Sequence, residues 1–162
     1  MVASYVPVVG ITLLTPEPEG FLHMSIMIEN GRHQLMVVVP ERLLPHYLPM
    51  VRALTEDEGF GTVVQSRAKD ALWHLAADHL PLPHAILVVE YDHGFDGAAL
   101  IGAIRNRAHT RHLPIVALSS DCDPCIPERG PRALRHGASE FHRVPIDTAT
   151  LAGRIRDLIT AA

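Results

Sequence analysis

Lysine is almost missing from this chain. Among 162 residues there is one, Lys69, against thirteen arginines. Any site elsewhere in the chain that depends on an ammonium group is thereby excluded. Cysteine is nearly as scarce, with Cys122 and Cys125 the two present. Two thiols three positions apart make no secreted-protein disulfide framework, so a reducing cytoplasm is the expected compartment. No apolar run approaches the ~20 residues that cross a bilayer, so no membrane contact is expected. The opening segment MVASYVPVVG has no basic stretch ahead of its apolar residues and makes a poor signal peptide. No glycine-rich phosphate loop follows a strand-like segment, and no nucleophile elbow occurs. An excess of positive charge is absent too. The formal net charge of −4 argues against non-specific nucleic-acid binding.

What is present suits one ordinary domain. Hydrophobic residues make up 48% of the chain, enough to bury a core without disulfides. Charge is uneven: nine of the thirteen arginines lie between Arg105 and Arg156, while residues 55–58 read Thr-Glu-Asp-Glu. The eleven histidines are scattered along the chain with no shared motif.

From residue 34 onward, short apolar runs alternate with segments of helical periodicity. Strands are expected at 34–39, 60–65, 85–90, 113–118 and 140–143. The intervening helices take their start signals from Ser66, Asp96 and Asp147, each a good N-cap residue. Pro45 and Pro49 place the regular part of the first helix late, because proline suits only a first turn. Gly59 and Gly137 suit helix ends. Prolines 124, 127 and 131 predict a short fourth helix over 132–136. Five strands alternating with five helices, joined by right-handed crossovers, give a doubly wound α/β domain with a parallel sheet. Ligands in such sheets sit at the carboxyl ends of the strands.

Residues 1–33 stand outside this alternation and form an N-terminal β-like extension to the domain at 34–162. Segments 5–14 and 21–29 are strand-like, and Asn30-Gly31 is a hairpin signal into the strand at 34–39. A central strand has no free edge, so the expectation is an arm that packs on the domain or pairs with a second copy.

Several short motifs, in order, resemble a response-regulator receiver domain. They are Glu58-Gly59-Phe60, Phe95-Asp96-Gly97, LPIVALS over 113–119, RALRHGASEF over 132–141, and Val144-Pro145-Ile146-Asp147. The resemblance covers residues 34–161 and implies the flavodoxin-like strand order 2-1-3-4-5. It also implies a phosphoacceptor aspartate, an acidic pair for magnesium, a lysine, a hydroxyl and an aromatic switch residue. Counting from Asp96-Gly97, the acceptor position holds Val89. The acidic pair falls on Val39 and Pro40, and the lysine on Val144, ahead of Pro145. The hydroxyl is kept as Ser119 and the aromatic as Phe141. Loss of every charge together is coherent, since a partial loss would leave the remaining buried charges uncompensated.

The resemblance therefore implies a degenerate, phosphorylation-independent receiver that acts by protein–protein contact, is not an enzyme and needs no cofactor. The expected docking face includes Arg132, Arg135, Phe141 and Arg143, for a protein partner or for a second copy in a homodimer. Two alternatives stand beside it. Cys122-x-x-Cys125, in a connection longer than the family usually has, is able to form a redox disulfide or to bind zinc with His93 and Asp92. A one-residue shift would put Glu90 at the acceptor site, or Asp92 would serve, as an atypical phosphoacceptor.

Overall fold

The inner strands of the sheet carry consecutive apolar residues, and in the structure they are buried on both faces. In the computed structural model, residues 12–13, 26–28, 33–90, 96–120 and 129–162 are described. Strand β3 (Gln34–Val38) shows the principle. Leu35, Val37 and Val39 enter one hydrophobic cluster, and Met36 and Val38 enter another on the opposite face. Every one of these five side chains is fully buried. Full burial of such a side chain stabilises by about 1.5–3 kcal/mol, which fixes the strand in register between two layers of helices.

The remaining strands of the parallel sheet are β4 (Gly61–Gln65), β5 (Ala85–Val89), β6 (Ile115–Ser120) and β7 (Glu140–Val144). Neighbours run β4-β3-β5-β6-β7, all parallel. Counted from β3, this is the expected order 2-1-3-4-5. Helices α1 (Leu44–Glu56) and α5 (Thr148–Ala161) close the face of Val37 and Val39. Helices α2 (Ala68–Ala76), α3 (Gly97–Arg105) and α4 (Arg129–His136) close the face of Met36 and Val38.

Two short strands extend the sheet at the β4 edge. β1 (Thr12–Leu13) pairs antiparallel with β2 (Ile26–Ile28), and β2 pairs antiparallel with β4, Met27 opposite Val63. β2 and β3 thus flank β4 on its two sides, so no hairpin joins them as neighbours. The rest of the expected strands at 5–14 and 21–29, with Asn30-Gly31, lies outside the described residues.

Local signals explain most helix ends. Asp96 accepts from the Ala99 N–H at 3.0 Å, and Asp147 accepts from the Thr150 N–H at 2.9 Å. Three expectations need correction. Helix α2 is capped at Arg67, with no side-chain bond, and not at Ser66. Helix α1 runs unbroken through Pro49, an exposed position where water can solvate the carbonyl left without its N–H donor. Helix α4 begins at Arg129 and not at Arg132, because Pro131 falls within its first turn, where the missing N–H is no loss. That shift carries Arg129 into the interior.

Candidate functional site

The carboxyl ends of β3, β5 and β6 meet where the receiver resemblance puts its phosphorylation pocket. Parallel register aligns Val38 with Val88, and Val89 with Leu118. Val39 and Val89 are 0% exposed. Both belong to one cluster with Leu44, Tyr47 and Leu118, and Val144 packs against it. Pro40 is buried and turns the chain into α1, its carbonyl accepting from the Leu43 N–H at 2.8 Å. Pro145, which follows a cis peptide bond, is exposed. Magnesium binding needs several oxygen ligands, and the side chains of Val39, Pro40, Val89 and Val144 supply none.

Strand alternation separates Glu90 from this group. The Glu90 N–H donates to the Leu118 carbonyl at 2.7 Å, which keeps the sheet register one residue past β5. Its side chain lies on the opposite face from Val89. There a Cβ on Gly97, the first residue of α3, would stand 3.0 Å from the Glu90 Cγ. Glu90 is 6% exposed. Glu90 and Val39 therefore lie on opposite faces of the sheet.

Ser119 also faces the α3–α4 side. It is 4% exposed, and the Arg129 Nη1 donates to its Oγ at 3.5 Å. Arg129 is itself buried, at 9% exposure. The sequence places Arg129, Arg132 and Arg135 three residues apart, a spacing that suggests one basic stripe. The structure breaks that stripe. Arg129 turns inward, Arg132 pairs with Asp96 at 2.8 Å, and Arg135 lies on the exposed side. Burial acts to raise the Asp96 pKa, but the Ala99 N–H and the Arg132 guanidinium outweigh it and hold that carboxyl below its ordinary value.

Phe141 is half-buried and packs against the core cluster that includes Ala117 and Ala133. Its ring also fills the space beside Gly130, where a Cβ would stand 2.5 Å from Cδ1. Arg143 is exposed on β7. The structure thus gathers Ser119, Arg129, Gly130 and Phe141 around the first turn of α4. The sequence signal for Arg129 was weak: it opens a short helix straight after a proline-rich connection, next to a glycine.

Asp92, His93, Cys122 and Cys125 lie outside the described residues. Among the described residues, no group of three or more histidine, cysteine, aspartate or glutamate side chains is placed to hold a metal ion. No described helix is long and apolar enough to cross a membrane.

The fold is that of a receiver domain. A response regulator from Desulfuromonas acetoxidans superposes with a TM-score of 0.63 at 23% identity, over 80% of this chain and 98% of that one. The receiver domain of a sensor histidine kinase from Pseudomonas aeruginosa, which holds a magnesium ion in its active-site cleft, gives 0.65 at 19% identity over the same share of each. In sequence the chain is 34% identical over 95 residues to the response regulator PleD of Caulobacter vibrioides. That match spans 57% of this chain and 20% of PleD. No family model matches the chain. The chain is thus similar to a response regulator in sequence over part of its length and to receiver domains in fold.

Proposed function

We propose that this chain is a phosphorylation-independent pseudo-receiver, a regulatory interaction module of two-component-type signalling. One observation carries the reading. Val39 and Val89, the positions that would hold a magnesium ligand and the phosphoacceptor, are fully buried in a hydrocarbon cluster. A doubly charged phosphoryl group and its metal have no place there. Desolvating them would cost many kcal/mol with no carboxylate at either position to receive the cation.

Output then depends on contacts at the surface. The face formed by α4 and β7 presents Arg132, Arg135 and Arg143 around the half-buried Phe141. Its partner is a protein, either a second copy or an acidic surface that complements those guanidinium groups. The exposed Leu134 lies on the same helix and adds apolar area.

The test is an amide NMR titration with magnesium and beryllofluoride, which together imitate an acyl phosphate. The expected result is no localised shift at Val39, Val89, Glu90 or Ser119 in the folded protein. Saturable shifts at those four positions would show a working pocket and overturn the reading.

A further inference from the structure

We propose that Arg129 is an internal latch, a permanent cation on Ser119 that holds α4 and Phe141 in a single position without any incoming signal. Three observations converge on it. First, Arg129 is the opening residue of α4, yet it is 9% exposed and its Nη1 donates to Ser119 Oγ at 3.5 Å. A guanidinium taken out of water on a surface helix loses hydration, so its inward rotamer must be held by the groups it meets.

Second, the next residue ties the Phe141 ring to the first turn of α4. Gly130 has no Cβ, and the Phe141 ring fills that volume, with Cδ1 at 2.5 Å and Cε1 at 2.6 Å from where a Cβ would be. Displacing the first turn of α4 opens that contact, so the place of the ring depends on where that turn is held.

Third, a second buried polar side chain lies on the same side of the sheet. Glu90 is 6% exposed and continues β5, the strand beside the one that leads to Ser119. Its side chain turns to the α3 side, against Gly97. On the opposite side of that sheet end, Val39 and Val89 belong to a hydrophobic cluster.

The latch deepens the proposed function, because it explains how the α4–β7 face keeps one shape with no phosphoryl group to set it. It is tested independently of any partner or phosphate analogue. Amide hydrogen exchange over 129–136 and the ring resonances of Phe141 are measured in wild type, Arg129→Gln and Ser119→Ala, with no added ligand. Both variants are expected to speed α4 exchange by about tenfold or more, a sub-global opening, while β3 and β5 stay protected. Both are also expected to shift the Phe141 ring signals. If Arg129→Gln does not fold, Ser119→Ala, which removes a single hydroxyl, decides the matter. Wild-type α4 exchange and an unmoved Phe141 ring in Ser119→Ala would overturn the latch, whatever the beryllofluoride titration shows.

Discussion

Arg105 reaches across the molecule and donates through Nε to the carbonyl of Gly137 at 2.7 Å. The same guanidinium donates through Nη1 to the carbonyls of Leu113 at 2.6 Å and Arg111 at 2.7 Å. One side chain thus ties the end of α3, the turn before β6 and the turn after α4. Gly137 has φ +111°, and a Cβ there would stand 2.7 Å from Arg105 Cγ. Backbone and neighbour both demand glycine at this place.

Arg105→Met keeps the aliphatic stem and removes the donors, leaving three carbonyls short of a partner. Charge-assisted bonds of this kind contribute ~1.5–3 kcal/mol each, partly offset where water reaches the freed oxygens. The expected outcome is a loss of about 2–4 kcal/mol in urea unfolding with m unchanged. Gly137→Ala is expected to lose a comparable amount through strain and displacement of the guanidinium, about 1–3 kcal/mol. Wild-type midpoints in both variants would show that Arg105 is a surface residue of no structural weight.

Val89→Asp places a carboxylate where the receiver resemblance puts the acceptor. Because Val89 is fully buried beside Val39 and Leu118, the new group gains neither water nor a cation. The expected outcome is a destabilisation of ~3 kcal/mol or more and no phosphoryl incorporation from acetyl phosphate. A variant as stable as wild type that takes up phosphate would mean that the pocket needs only its aspartate back.

Two groups set opposite ends of the pH profile. His74 is buried on α2, and burial lowers its pKa from 6.5, against the raising effect of its bond to the Pro81 backbone. The folded state thus prefers the neutral ring. Its contribution is complete above the ordinary value near 6.5 and is lost as pH falls from there through the lowered folded pKa. Glu140 is held below its ordinary value by the Arg154 guanidinium first, and by His142 at 2.8 Å. Its contribution is present above pH 4.5 and is lost as pH falls through the lowered value. Stability followed from pH 7 to 3 should therefore decline in two stages. His74→Gln is expected to flatten the upper stage, and Glu140→Gln the lower one. Two unchanged curves would mean that neither group titrates with folding.

The sequence by itself determined the sheet and the apolar side chains at the ends of its central strands. Continuous apolar runs such as QLMVVV and AILVV admit only strands buried on both faces, and alternation with amphipathic segments then dictates a parallel, doubly wound order. Asp96 and Asp147 announced two helix starts, because a capping carboxylate acts on N–H groups two or three residues away. Valine at 39 and 89 supplies no oxygen ligand, by side-chain chemistry alone. Tertiary structure decided the rest, where residues far apart in the chain share one small volume. Period-two alternation put Glu90 and Val89 on opposite faces, which a linear count cannot rank without the register. Pairing of β2 with β4 depended on which sheet edge was open. Arg129 looked like a member of a surface stripe until Pro131 moved the helix start back by three residues and turned it toward Ser119. Arg105 carried no local signal at all, since its partners lie 6, 8 and 32 residues away. Short-range rules act through neighbours in sequence, while burial and charge pairing act through neighbours in space.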